Sequence, residues 1–151
     1  MIEGVRTKEL VCRPDERGRL WEILRADDDI FQQFGQVYVT TAYPGIVKAW
    51  HAHEHQTDFF TVLSGMAKFV LYDMRADSAT RGQVQEFFLG RDHLKLITIP
   101  PGVYHGFKCI GDCEVVALNC PTRPYDHDRP DELRLPPDSD KIPYDWSLKH
   151  K

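Results

Sequence analysis

The sequence predicts an all-β protein whose strands form a sandwich or barrel, and a jelly-roll barrel is the interpretation that we favour. Short apolar or alternating runs, rich in Val, Ile, Phe, Tyr and Thr, recur along the middle of the chain, as expected for half-buried strands. Turn-forming Pro, Gly, Ser and Asp residues separate these runs, and helical periodicity is weak. The predicted strands are 36–43, 58–63, 66–73, 84–89, 94–99 and 113–120.

Length and composition indicate one domain spanning residues 1–151. Hydrophobic residues make up 42% of the chain, which is enough for a packed core and excludes a disordered chain. The net charge is −4 and no basic block is present, which argues against nucleic-acid binding. No apolar run approaches the roughly 20 residues of a membrane span, and residues 1–10 lack the apolar stretch of a signal peptide. We therefore expect a cytoplasmic protein with no membrane partner and with reduced cysteines.

The two ends of the chain differ from the β-rich middle. The N-terminal arm includes residues 27–34, where three aspartates precede apolar residues, and this pattern predicts a short helix. The C-terminal segment that begins at Pro121 holds six of the ten prolines, and each removes a hydrogen-bond donor that a central strand needs. We expect this proline-rich segment to form a strap whose apolar side chains pack on the barrel.

Three histidines and one aspartate stand at informative positions. His51 and His53 are two residues apart on a predicted strand, so their side chains project from the same face. Asp58, at the start of the next strand, can fold back across a turn to join them. Further along the chain, a Pro-Pro-Gly turn delivers His105 onto another strand.

These spacings resemble the two signature motifs of the cupin superfamily. Gly45, His51, His53 and Asp58 match the first motif, with aspartate where glutamate is usual, and His105 ends the second motif, Pro-x-Gly-x-x-His. The resemblance implies a cupin jelly-roll barrel that holds one divalent metal on His51, His53, Asp58 and His105. Ligand type alone does not select among zinc, iron, manganese, nickel and copper. The alternative is that these polar residues line a cavity that binds no ion.

A longer resemblance covers nearly the whole chain, from residue 15 to residue 146. It begins with the segment DERGRLWE, which is similar to the N-terminal D-x-R-G-x-F-x-E motif of the dTDP-4-dehydrorhamnose 3,5-epimerase family. The resemblance implies an epimerase or isomerase that acts on a nucleotide-linked 4-keto-6-deoxy sugar in carbohydrate biosynthesis. It also implies a homodimer in which the N-terminal arm reaches toward the partner subunit. The segments that match are 15–22, 45–51, 72–90, 99–107 and 142–146.

The same resemblance assigns substrate-binding roles. Arg17 and Glu22 are expected to help bind a nucleotide diphosphate. Lys48 stands where the family has a phosphate-binding arginine, and it keeps the positive charge but loses bidentate geometry. Tyr38 and Tyr125 complete the substrate-binding residues that we predict.

His51 matches the family's catalytic base, which removes the proton from the carbon beside the 4-keto group. A carboxylate of the C-terminal segment is expected to orient this base, and the candidates are Asp138 and Asp140. The segment from His51 to His53 also resembles the H-A-H of the dTDP-4-keto-6-deoxyhexose 3,4-ketoisomerases. In that sister branch two histidines shuttle protons between neighbouring carbons without a metal.

Two residues of the epimerase family are absent. The lysine that stabilises the enolate oxygen falls at Asp58, and the general-acid tyrosine falls at Ala117 or Leu118. A bound metal could polarise the keto oxygen in place of the lysine, but it would use His51 as a ligand. The groups that would then move protons are Tyr104, Tyr38 or His53.

Three functions follow as alternatives. The first is an isomerase or epimerase of a nucleotide-linked 4-keto sugar, which near full-length resemblance supports. The second is a metal-dependent dioxygenase, lyase or isomerase of a small molecule, which the ligand spacing supports. The third is a protein that binds a sugar nucleotide without catalysis, which the absent lysine and tyrosine support.

Overall fold

The computed structural model describes residues 1–149, which form twelve β-strands and no helix. All strand pairs are antiparallel. Residues 1–149 accordingly include no helix with the length and apolar character that a membrane span requires. The strands are β1 (Arg6–Glu9), β2 (Arg13–Asp15), β3 (Gly18–Leu20), β4 (Tyr38–Ala42), β5 (Val47–Ala52), β6 (Asp58–Ser64), β7 (Met66–Asp73), β8 (Val84–Gly90), β9 (Lys95–Ile99), β10 (Val103–Cys109), β11 (Val115–Asn119) and β12 (Leu133–Arg134).

Ten strands form two five-stranded sheets, and β2 and β3 form a separate hairpin. The first sheet has the order β1-β9-β6-β11-β4, and the second has the order β12-β5-β10-β7-β8. Apolar side chains of both sheets form one core, in which the rings of Phe69 and Phe107 stack with centroids 5.0 Å apart and Phe60 packs beside them. The all-β prediction is therefore confirmed.

The six predicted strands are present with small changes at their ends. For example, the segment predicted at 113–120 forms a strand at 115–119, and the segment predicted at 58–63 extends to Ser64. Strands β1, β2 and β3 in the N-terminal arm were not predicted, because their side chains are exposed or half-buried and lack an alternating pattern.

The predicted helix at 27–34 is wrong, because residues 26–30 form turns. The carboxylate of Asp28 accepts hydrogen bonds from the backbone N–H of Arg25 (2.8 Å) and from Nζ of Lys8 (2.5 Å). An aspartate that binds its neighbour's backbone in this way competes with helix formation.

The C-terminal segment packs on the outside of the second sheet. Ile142 and Trp146 form a buried cluster with Trp50 of β5 and Val70 of β7, and the two indole rings lie 4.9 Å apart. The short strand β12 pairs with β5 and forms the edge of the second sheet. Prolines near an edge strand are tolerated, because they remove no hydrogen bond that a central strand needs. This pairing carries residues 131 and 132 toward the histidines.

Candidate active site

A cavity of about 1360 Å³ opens between the two sheets. Strands β4 and β6 line it from the first sheet, and strands β5 and β10 line it from the second. Residues 123–134 of the C-terminal segment form much of its rim. All three histidines of the sequence motifs lie in its lining, together with Tyr38, Lys48 and Tyr125.

Close contact between β5 and β10 places His105 beside His51. The two residues are directly paired in the antiparallel ladder, and their rings lie 6.4 Å apart. Gly106 permits this approach, because a Cβ atom at that position would lie 2.4 Å from the Cβ of Ala49. The glycine that follows the second-motif histidine is therefore required by packing.

His51 is paired with a carboxylate that the sequence analysis did not identify. Its Nδ1 lies 2.7 Å from Oε1 of Glu132, and Arg134 donates a hydrogen bond to Oε2 of the same carboxylate at 2.7 Å. Burial alone would raise the pKa of Glu132, but the hydrogen bonds from Arg134 and His51 outweigh burial and lower it. The ionised carboxylate holds a proton on Nδ1 of His51, so that Nε2 presents a lone pair and can act as a base.

His53, Asp58 and His105 form a second, more buried cluster. Oδ2 of Asp58 lies 3.4 Å from Nε2 of His53 and 3.4 Å from Nε2 of His105. Each histidine binds a backbone carbonyl through its other nitrogen, His53 that of Asp131 and His105 that of Val103. These carbonyls favour a proton on Nδ1 of each ring, which leaves both Nε2 atoms directed at Asp58 with a lone pair.

The donor set of this cluster fits a divalent metal. Two imidazole nitrogens and one carboxylate oxygen lie within 4.8 Å of one another. Ligand atoms about 2.1 Å from a common tetrahedral ion are about 3.4 Å apart. This separation equals the distance from Oδ2 of Asp58 to Nε2 of each histidine, and it is longer than an ordinary hydrogen bond. His51, which was predicted as a ligand, is not in this cluster and contacts Glu132 instead.

Two predicted catalytic residues lie away from the cavity. Asp138 and the other candidate, Asp140, are both exposed, and neither lines the cavity. The carboxylate that contacts His51 is that of Glu132. Tyr104 precedes His105 on β10, and alternation turns its side chain to the opposite face of the sheet, where it packs in the Trp50 cluster.

Two predicted substrate-binding residues are also outside the cavity. Arg17 lies at the exposed β2–β3 turn and pairs with Asp15 at 2.6 Å. Glu22 pairs with Arg25 at 2.7 Å. Both belong to the N-terminal arm, in which β2 and β3 form a sheet of their own.

Cationic side chains at the rim add to Lys48. Arg123, Arg129 and Arg134 all line the cavity, although the chain as a whole carries a net charge of −4. No short sequence motif identifies these arginines, because Arg123 and Arg129 lie in the irregular segment between β11 and β12 and Arg134 ends the two-residue strand β12. The lining also holds the carboxylates of Asp126, Asp131 and Glu132, so the four cationic side chains exceed the acidic ones by one.

Comparison with known proteins extends over the full chain. The family described as polysaccharide biosynthesis C-terminal domain matches residues 13–133. A spore coat polysaccharide biosynthesis protein of Bacillus subtilis (strain 168) is 38% identical over 151 residues, which is 100% of both chains. The chain belongs to the polysaccharide biosynthesis C-terminal domain family. A probable low-salt glycan biosynthesis epimerase of Haloferax volcanii is 41% identical over 150 residues, covering 98% of this chain and 96% of the relative.

Solved structures that resemble this polysaccharide biosynthesis domain share its fold. A dTDP sugar isomerase from Desulfovibrio desulfuricans G20 is 38% identical, with a TM-score of 0.91 over 96% of this chain and 92% of that one. Structures of dTDP-4-dehydrorhamnose 3,5-epimerases from Elizabethkingia anophelis and Bacillus anthracis share the fold at 20% and 21% identity, with TM-scores of 0.81 and 0.84. The resemblance to that family and its jelly-roll fold is thus confirmed.

Proposed function

We propose that this protein is an epimerase or isomerase that acts on a nucleotide-linked 4-keto-6-deoxy sugar. The observation that carries the proposal is the pair formed by His51 and Glu132 inside the cavity. A histidine oriented by an ionised carboxylate is suited to remove a proton from the carbon beside a ketone. The relatives described as a glycan biosynthesis epimerase and a dTDP sugar isomerase support the same reaction class.

The first chemical step follows from this pair. Nε2 of His51 takes the proton, and the electrons of the C–H bond move toward the keto oxygen to form an enolate. Glu132 stabilises the imidazolium that forms, because its carboxylate remains ionised beside Nδ1. Return of a proton to the same carbon on the opposite face gives an epimer. Return to the neighbouring carbon gives a ketoisomer when the proton of the adjacent hydroxyl also passes to the former keto oxygen, through an enediol.

Cationic side chains at the rim support a substrate that carries a diphosphate. Lys48, Arg123 and Arg129 are distributed around one cavity, and guanidinium groups match phosphate oxygens in bidentate geometry. Tyr125, whose ring meets that of His127 edge-on at 4.9 Å, offers an aromatic surface at the same rim. We assign the nucleotide diphosphate to this rim and the sugar to the histidines.

Solvent isotope exchange tests the proposal. The protein is incubated with dTDP-4-keto-6-deoxyglucose in D₂O, and loss of carbon-bound protons is followed by NMR. We expect exchange next to the keto group in the wild type and none in His51→Asn. If the wild type exchanges no carbon-bound proton while dTDP raises its melting temperature, the protein binds sugar nucleotides without this chemistry and the proposal is wrong.

A second proposal concerns a metal ion on His53, Asp58 and His105. The ligand separations and the carbonyl-bound Nδ1 atoms support it, and it leaves His51 free as a base. A divalent ion there would polarise the keto oxygen and stabilise the enolate. Elemental analysis of protein purified without chelator should give about one zinc, iron, manganese or nickel per chain, and Asp58→Asn should lose it. Equal metal content in both proteins, or none in the wild type, contradicts this proposal.

A third proposal is that the protein works as a homodimer. Strand β4 is an edge of the first sheet. Its side chains that point away from the cavity include Val39, which is 53% exposed, and the exposed residues Val37 and Tyr43 flank the strand on the same side. The family resemblance further supports an N-terminal arm, with Arg17 and Glu22, that reaches toward the partner's cavity. Light scattering should give twice the mass of one chain for the wild type and a lower mass for Val39→Glu. A monomeric wild type contradicts the proposal.

We also propose a cytoplasmic location. All four cysteines are free, and Cys109 is buried beside the backbone of Cys113 without a disulfide. Free thiols are typical of proteins in a reducing compartment.

A further inference from the structure

Tyr38 presents a hydroxyl group to the cavity from the sheet that faces His51. Tyr38 lies on β4 of the first sheet, whereas His51 lies on β5 of the second, and both line the same cavity. Phe60 lies between the two sides, with its ring 6.5 Å from Tyr38 and 5.8 Å from His105. A ligand in the cavity therefore meets His51 on one side and Tyr38 on the other.

The hydrogen bonds around Tyr38 leave its proton available to a ligand. Oδ1 of Asn119 accepts from the backbone N–H of Phe59 at 2.9 Å, which fixes the orientation of the amide because an N–H can only donate. Nδ2 of Asn119 therefore faces Asp58 (2.7 Å) and the hydroxyl oxygen of Tyr38 (3.0 Å). The phenol is held as an acceptor, so its own O–H is free to point into the cavity.

The environment of Tyr38 keeps this proton in place until a strong base is formed. Burial, followed by the nearby charge of Asp58, raises the pKa of Tyr38 to about 12. The phenol is therefore protonated throughout the physiological range. An enolate carbon is basic enough to take a proton from a phenol held in contact with it.

We propose that Tyr38 is the general acid that returns a proton to the sugar on the face opposite His51, so that the protein inverts a carbon next to the keto group. The inference rests on the proposed function, in which His51 forms the enolate. In the second step the O–H bond of Tyr38 breaks, its electrons stay on the phenolate oxygen, and the enolate electron pair forms the new C–H bond. Solvent then returns a proton to Tyr38, and the imidazolium of His51 releases its proton, so no net proton or electron is consumed.

Tyr38→Phe separates the two steps. The ring and its contact with Phe60 are kept, and Nδ2 of Asn119 keeps its bond to Asp58, so the variant is expected to fold. With dTDP-4-keto-6-deoxyglucose in D₂O, we expect proton loss within about threefold of the wild type, because His51 is unchanged. Formation of the epimer, read by NMR, should fall by about 100-fold or more.

Tyr72→Phe is the matched control, since this tyrosine packs in the Trp50 cluster on the outer face of the second sheet and lies outside the cavity lining. It should exchange and invert at wild-type rates. Normal inversion by Tyr38→Phe overturns the inference, and so does loss of exchange together with inversion at unchanged affinity for dTDP. A wild type that exchanges protons without forming an epimer also overturns the inference but leaves the proposed function standing. A wild type that shows neither reaction overturns the proposed function itself.

Discussion

Oε1 of Glu132 lies 2.7 Å from Nδ1 of His51, although 81 positions separate the two residues in the chain. The contact depends on β12, where Leu133 pairs with Ala52 and Arg134 pairs with His51. The backbone ladder continues through two hydrogen bonds between residues 50 and 135. Docking of the C-terminal segment therefore brings the two residues of the proposed catalytic pair together, which links the packing of that segment to the proposed chemistry.

Replacement of Glu132 by glutamine should lower the exchange rate of the substrate proton by about 100-fold or more. The amide keeps the size of the side chain, but it removes the negative charge that stabilises the imidazolium and no longer fixes the proton on Nδ1 of His51. Because Glu132 contacts the base, the loss should appear in kcat with little change in KM. Steady-state exchange with dTDP-4-keto-6-deoxyglucose measures both constants.

Asp138→Asn provides the comparison for this variant. Asp138 is exposed in the same segment and was the carboxylate expected from sequence. The geometry predicts a wild-type rate for Asp138→Asn. A large loss in this variant, with a normal rate in Glu132→Gln, would show that the assignment of the orienting carboxylate is wrong.

Asp131 should prove important for stability as well as for the site. Its carboxylate accepts hydrogen bonds from the backbone N–H groups of Glu54, His55 and Gln56, at 2.8, 3.1 and 3.0 Å. Replacement by alanine removes three charge-assisted hydrogen bonds, of which the one from Gln56 is part-buried, and should lower the free energy of unfolding by about 2 kcal/mol. Asparagine keeps one acceptor oxygen and should cause a smaller loss. Urea denaturation measures both changes, and an alanine variant as stable as the wild type would contradict this role.

Local patterns in the sequence were sufficient to identify part of the site. Alternation along β5 places His51 and His53 on one face, and the spacing to Asp58 and His105 predicted that all four lie near one another. The same alternation should have excluded Tyr104, because it adjoins His105 on β10 and must face the other way. Adjacency to His105 in the sequence therefore does not place the Tyr104 side chain in the cavity.

Glu132 could not be found by the same reasoning. Strand β12 has two residues, which is too short for any periodicity, and its partner β5 lies far away in the sequence. Asp138 and Glu132 are both carboxylates of the same C-terminal segment, and the sequence does not distinguish them. Only the pairing of Leu133 with Ala52 decides which of the two reaches His51. The predicted helix at 27–34 is wrong for a similar reason, because a residue distant in the sequence decides the local structure: Lys8 of β1 binds the carboxylate of Asp28.

Removal of the Trp146 side chain should weaken the attachment of the C-terminal segment. Its indole is 8% exposed, packs against Trp50 at 4.9 Å and lies beneath the ammonium group of Lys68. Trp146→Ala should lower the free energy of unfolding by about 3 kcal/mol. Leu148→Ala is the control, because this side chain is 58% exposed and its removal should cost less than about 0.5 kcal/mol. Equal urea midpoints for the two variants would contradict this account of the docking.

The buried carboxylate of Asp73 should make stability depend on pH. Arg75 donates two hydrogen bonds to it from its guanidinium group, and the hydroxyl groups of Ser78 and Thr80 each donate one at 2.6 Å. Burial alone would raise the pKa of Asp73, but these hydrogen bonds, led by those from Arg75, outweigh it and hold the pKa well below its usual value near 3.8. Below about pH 3.8 the unfolded chain binds a proton at Asp73 that the folded protein does not bind. The free energy of unfolding therefore decreases as the pH is lowered.

Asp73→Asn tests this dependence, because asparagine does not titrate. The variant should be less stable than the wild type at pH 7, since the ionised partner of Arg75 is lost. The difference in free energy of unfolding should be constant above about pH 5 and should shrink as pH falls below about 4, where the wild type loses the contribution of its carboxylate. Taking the difference cancels the titration of other carboxylates that both proteins share. Urea denaturation at pH 7, 5, 4 and 3.5 measures it, and a difference that stays constant down to pH 3.5 would mean that Asp73 contributes no pH-dependent stability in this range.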